Sequence, residues 1–207
     1  MIKPNFYTIC TYADYEKIFK EKGYAYFTRG AYNLNIIGVR SDNKNKVTNL
    51  FDDLLVVIYK TPIGRWQRVT YPITTEPGLY YMTKKLLNPK GTSILAPGQY
   101  RGCWQIGKHK EQYKALVQRK NVKVYRDANR DTTYDMASHK TDIGVFGINI
   151  HRSNEYSISK YVDKYSAGCQ VFANPRDFEA FMRLCEKQRE LYGNSFTYTL
   201  INESDVR

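Results

Sequence analysis

The chain has 207 residues, enough for one domain of ordinary size with a buried core. A hydrophobic fraction of 42% beside 25% charged residues excludes a disordered chain, and no apolar run is long enough to span a membrane. The net charge of +12 favours anionic partners, while 19 tyrosines and 9 phenylalanines favour half-buried pleated surfaces.

The opening "MIKPNFYTIC" lacks the apolar run of a signal peptide, which predicts synthesis in the cytoplasm. "TYADYEKIFKEKG" predicts a short helix, with Thr11 as N-cap, Asp14 three residues on and Gly23 as its stop. "NLNIIGVR" reads as a strand, and the polar stretch "RSDNKNKVTN" then marks a boundary. This divides the chain into an N-terminal arm, residues 1–48, packed on a main domain of residues 49–207. In that domain "DLLVVIYK", "RWQRVTYPI", "GLYYMTK", "QYRGCWQI", "YKALVQ", "VKVYRD", "GVFGINIH" and "CQVFA" read as strands, with "KTPIGR" as a hairpin turn. "NPRDFEAFMRLCEKQRELYG" predicts one long helix capped by Asn174, with Pro175 at its first position and Gly193 as its stop. Phe178, Phe181, Met182, Cys185 and Leu191 are expected along its core stripe, and "SFTYTLI" reads as a last strand. The class is mainly β with α: a β-sandwich or barrel with one long helix and a short N-terminal helical arm.

Basic residues are scattered, with no zinc-finger spacing, RNA-binding aromatic signature or basic helix, so no specific nucleic-acid partner is expected. Cys10, Cys103, Cys169 and Cys185 have neither paired nor metal-like spacing, so no disulfide framework, metal or other cofactor is expected. One stretch carries chemistry. In "GINIHRSNEYSISKYVDKYSAGCQVF", His151 stands at the end of a strand, and alternation places it with Val145 and Asn149 opposite Phe146, Ile148 and Ile150. Asn149 shares the face of His151 but sits too far along to orient it. Cys169 follows Gly168, where the backbone can approach a ligand closely and aim adjacent N–H groups at one point. A thiol there can attack a carbonyl if an imidazole takes its proton. The structural alternative for Cys169 is a buried thiol, and for His151 a satisfied strand histidine. Cys103 and His109 form a rival pair that reads as a packed thiol beside Trp104, with His109 a candidate for lining the cleft. His139, in polar "MASHKTD", reads as solvated.

His151 followed by Ser166-Ala167-Gly168-Cys169 resembles the active-site signature of the L,D-transpeptidase catalytic (YkuD-type) domain family. Pro77, Gly78 and Tyr80 in "ITTEPGLYYM" resemble that family's Thr-Pro-x-Gly-x-Phe strand, and the likeness covers roughly residues 50 to 190. Two positions differ. Ala167 stands where the family often has His, Arg or Lys, and Val171 where it usually has Arg or Asn, which bears on substrate contact and on cross-linking. The resemblance implies a cysteine peptidase or acyltransferase acting on the peptidoglycan stem peptide through a thioester. Cys169 would be the nucleophile and His151 the base, with the N–H groups of Gly168 and Cys169, joined by Ala167, around the oxyanion. Ser166, Ala167, Arg152 and His109 would border the substrate, Ser166 shaping the turn. The leaderless, basic chain points to a phage lysin or virion-borne hydrolase that meets anionic envelope polymers, acting on the wall after lysis or from the particle. Alternatives are an L,D-transpeptidase, a cytosolic muropeptide carboxypeptidase, or a non-catalytic module binding cell wall or nucleic acid. A sortase-like enzyme fits less well, because "YSAGC" lacks the Thr-Leu-x-Thr-Cys pattern.

Overall fold

The computed structural model describes residues 11–136 and 141–206. Eight strands close a mixed barrel: β1 (Asn35–Arg40), β2 (Asp53–Lys60), β3 (Trp66–Thr74), β5 (Gly98–His109), β6 (Tyr113–Gln118), β9 (Ile150–Arg152), β10 (Gln170–Phe172) and β11 (Phe196–Asn202). They run around the barrel in the order β1-β11-β5-β6-β9-β10-β3-β2. A separate three-stranded sheet contains β4 (Thr92–Leu95), β7 (Val122–Asp127) and β8 (Thr141–Gly144), with β7 in the middle. Among the described residues the α-helices are α1 (Tyr12–Glu21), α2 (Leu79–Thr83) and α3 (Pro175–Tyr192), with a short 3-10 helix at Glu203–Asp205.

Helix α1 starts where its capping box demands: the Thr11 hydroxyl accepts the Asp14 N–H, and the Asp14 carboxylate accepts the Thr11 N–H at 2.6 Å. Its buried Tyr15 and Phe19 lie on Ile37, Val39, Leu54, Val56 and Ile58. The opposite faces of the same strands, through Ile36, Leu55 and Val57, fill the barrel with Trp104, Phe196 and Tyr198. This is why β1 is buried at every position rather than at alternate ones. Strand β1 pairs parallel with β11 and antiparallel with β2, so the strand half of the expected N-terminal arm is a stave of the barrel.

Helix α3 follows its expected span and is capped by the Asn174 side chain, which accepts the Arg176 N–H at 3.0 Å. Phe178 and Phe181 pack on Phe172 of β10, with ring centroids 5.5 and 5.3 Å away. Leu191 leaves the expected stripe and is exposed, because six residues beyond Cys185 turn the helix by about 240°. Gln188 takes its place, buried, accepting the Leu34 N–H and donating to the Ser195 carbonyl.

Two expected strands are something else. "GLYYMTK" forms α2, beginning at Gly78, whose N–H donates to the Ser166 carbonyl at 2.9 Å. A side chain at Gly78 would strike the Asp163 backbone, so the close approach to the cysteine-bearing turn requires glycine. "GVFGINIH" is not one strand: Gly144 ends β8, Ile150 and His151 open β9, and between them Gly147 takes φ 73° and breaks the run. The freed backbone groups turn to side chains instead. Gln118 Oε1 accepts the N–H groups of Phe146 and Ile148, its Nε2 donates to the Gly144 carbonyl, and Trp104 Nε1 donates to the Ile148 carbonyl. Strand β4 lies between Gly91 and Pro97, in a stretch whose prolines and glycines signal turns.

Candidate active site

The parallel pairing of β9 and β10 sets Gln170 against Ile150 and Val171 against His151. One step back, Cys169 opposes Asn149, whose carbonyl accepts the Gln170 N–H at 2.9 Å. Since Asn149 and His151 are two residues apart, thiol and imidazole share a face. Both line a cleft of about 470 Å³ between the barrel and the small sheet, together with His109, Asn149, Ala167, Ser93 and Phe146.

Cys169 sits in a turn held from within. The buried Ser166 hydroxyl donates to the Cys169 carbonyl at 2.8 Å and accepts the Gly168 N–H at 3.1 Å. The Gly168 N–H, expected around an oxyanion, is thereby engaged inside the turn. The N–H groups of Ala167 and Cys169 carry no hydrogen bond among the described residues. Gly168 has φ 124°, and a side chain there would run into the Ser93 carbonyl of β4. Beneath the turn, the fully buried Gln170 donates to the Gly168 carbonyl and accepts from Tyr198 Oη.

The thiol accepts the Asn149 N–H at 3.4 Å and donates to the Gly147 carbonyl at 3.5 Å; neither imidazole is among its partners. Burial pushes the thiol above its ordinary range, against the pull of the Asn149 N–H and the Lys110 charge. His151 is buried, and burial together with the neighbouring His109 holds it down to about 3. His109 stacks on it, with ring centroids 3.9 Å apart, and burial with the Lys110 charge holds it to about 4. The site is therefore a neutral thiol beside two neutral imidazoles.

Their tautomers follow from their partners. His151 Nδ1 lies 2.8 Å from the Arg152 carbonyl, an acceptor only, so Nδ1 carries the proton and Nε2 a free lone pair. Asn149 Oδ1 accepts the Gln118 N–H at 3.0 Å, so its Nδ2 faces His109 Nδ1 at 3.0 Å and donates. His109 is then protonated on Nε2, opposite to His151. Asn149 thus orients His109, and the group that orients His151 is its own neighbour's carbonyl. The Tyr113 hydroxyl donates to the same carbonyl at 3.2 Å.

Among the sequence candidates, Cys169, His151, His109 and Ala167 line the cleft, whereas Ser166 and Gly168 shape the turn beneath it. The Arg152 side chain is drawn away, its guanidinium 4.0 Å from the Tyr113 ring centroid and 3.2 Å from Glu155. The rival pair is divided: His109 joins the cleft, while buried Cys103 turns its thiol to the Arg101 and Asn121 carbonyls. Val171 is fully buried with Phe51, Val162 and Ala173. His139 and Cys10 lie outside the described residues. Among those described, no group of three histidine, cysteine or acidic side chains could hold a metal ion, and no helix is long and apolar enough to cross a membrane. Gln118 and Trp104 carry no sequence signal as site supports, for their contacts with residues 146–148 arise only once Gly147 breaks the strand, and Asn149, expected on the face of His151, holds His109.

Comparisons with protein-family models, with curated proteins and with solved structures each found no match. The likeness to the L,D-transpeptidase signature therefore rests on the motif residues themselves.

Proposed function

We propose that this protein is a cysteine-dependent peptidase of the peptidoglycan stem peptide, L,D-transpeptidase-like in fold and chemistry. One observation carries the reading: Cys169 and His151 share a cleft, and the imidazole is pinned through Nδ1 so that its Nε2 is free to accept a proton. In the first step Nε2 takes the thiol proton as sulfur bonds to the peptide carbonyl carbon. The N–H groups of Ala167 and Cys169 are the donors free to hold the oxyanion. Collapse breaks the C–N bond, Nε2 returns its proton to the departing amine, and a thioester remains. Water then gives its proton to Nε2, attacks the thioester and releases a carboxylic acid and the thiol.

Hydrolysis is preferred over cross-linking because position 171, where the family usually presents Arg or Asn to substrate, is a core valine. A basic surface suits approach to an anionic envelope, the setting of a lysin or virion-borne enzyme. The test is mass spectrometry of peptidoglycan fragments incubated with wild type and Cys169→Ala. Shortened stems with wild type alone are the expected result. New cross-links or exchanged amino acids would make it a transpeptidase, and identical spectra would refute an enzyme and favour a binding module.

A further inference from the structure

The cleft has a marked charge imbalance. Lys110, Arg126 and Lys164 line it, and among the described residues no aspartate or glutamate does. Lys110 follows His109 in the β5–β6 turn, where Lys110 and Glu111 both take positive φ and the Gln112 N–H closes on the His109 carbonyl at 3.0 Å. It is exposed at the rim and has no carboxylate partner among the described residues. Its charge acts on Cys169 and on both imidazoles, which places it beside the reacting groups. Lys164, which also lines the cleft, is exposed, with its ammonium 4.7 Å from the Tyr80 ring centroid. Arg126, on β7, forms the wall. Its side chain is 10% exposed and donates to the Gly91 carbonyl, Ser93 Oγ and Asp142, while its Nε is buried with no partner among the described residues. Carboxylates next to the lining residues are directed elsewhere or exposed: Asp142 onto Arg126 and Lys90, Asp163 onto Asn49, and Glu111 in the exposed turn.

We propose that this cleft selects an acyl donor bearing a free carboxylate close to the scissile carbonyl, held between Lys110 and Lys164 above the Arg126 wall. The inference rests on Cys169 being the nucleophile of the cleft, and it adds the charge class of the substrate. A neutral stem, amidated at that carboxylate, would lose both rim contacts and be a poor donor. A carboxylate also brings Lys110 and Lys164, which have no carboxylate partner among the described residues, a counter-charge.

Two alkylating probes of nearly equal size test this without peptidoglycan. Iodoacetate carries the carboxylate and iodoacetamide does not, and peptide mapping reads the modification at Cys169 apart from the other cysteines. Expected for the full chain at mildly alkaline pH and low salt is an iodoacetate-to-iodoacetamide rate ratio about fivefold above that of a small free thiol. The excess should collapse with high salt and in the double variant Lys110→Gln, Lys164→Gln, whose exposed side chains leave the core untouched. A ratio equal to that of the free thiol, with Cys169 alkylated by both reagents, would overturn the carboxylate preference and leave the nucleophile standing. An excess that survives in the double variant would overturn the assignment to the two lysines. Failure of both reagents at Cys169 would overturn the nucleophile and this inference with it.

Discussion

Replacing Asn149 by aspartate should invert the tautomer of His109 and raise its basicity. In the wild type, Asn149 Oδ1 is committed to the Gln118 N–H, so only its amide donor faces His109 Nδ1. A carboxylate keeps the acceptor for Gln118 and turns the donor into a second acceptor. His109 must then present a proton on Nδ1, and the imidazolium gains a charge-assisted bond worth about 1.5–3 kcal/mol. At 1.36 kcal/mol per pKa unit this amounts to a rise of about 1–2 units from the wild-type value of about 4. With the rings 3.9 Å apart, a charged His109 disfavours proton uptake by His151 and should lower turnover where His109 is protonated. Long-range proton–nitrogen NMR correlations read each ring directly, and the chain has only three histidines. The wild type should show His109 protonated on Nε2 and His151 on Nδ1, and Asn149→Asp should move the first to Nδ1. Identical tautomers for the two wild-type rings, or a His109 titration still near 4 in the variant, would refute the reasoning.

Gln118→Ala removes a side chain bonded to Phe146, Ile148, Lys120 and Gly144 and strands the Ile148 N–H in the interior. A loss of about 3–5 kcal/mol in denaturant unfolding is expected, and under about 1 kcal/mol would mean the segment is held otherwise. Asp52 borders an apolar hollow with Leu50, Pro72 and Ile158, and burial with the adjacent Asp53 raises it to about 7. A carboxyl raised on folding contributes stability that is complete below its unfolded value of 3.8 and is lost as pH rises through about 7. Asp52→Asn should therefore raise the melting temperature at mildly alkaline pH and leave it nearly unchanged in acid; equal shifts at both would exclude titration as the cause.

Periodicity and punctuation made most of the barrel legible. Strands β2 and β6 of the barrel, like β7 of the small sheet, follow runs bounded by turn residues, and α1 and α3 announce themselves through Thr11, Asn174 and Pro175. The failures share a cause. "GLYYMTK" has the tyrosines of a strand, but Gly78 is bound to Ser166 across the fold, and that long-range contact starts a helix turn. "GVFGINIH" alternates correctly, yet the positive φ of Gly147 ends the pairing and side chains replace the ladder. At the site, it is the resemblance of His151, Ser166, Gly168 and Cys169 to the family signature, not their spacing, that implies a thiol and an imidazole in one cleft. The stacking of His109 could not be read, because it depends on β5 and β9 both flanking β6.

That irregular segment explains why a barrel of this kind needs the second sheet. A β-ladder through Gly144–Asn149 would satisfy its own backbone but would not leave a hollow in front of Cys169. Breaking it opens the cleft and leaves polar groups that Gln118 and Trp104 must answer. The open side is walled by the small sheet, which Arg126 ties together by reaching Ser93 on β4 and Asp142 on β8. Gly168 packs against Ser93 of that same wall, so the turn bearing the thiol and the sheet bearing the guanidinium are fixed by one contact. A side chain at position 168 would therefore force the nucleophile and the cationic wall apart together, coupling reactivity to substrate charge through a single glycine.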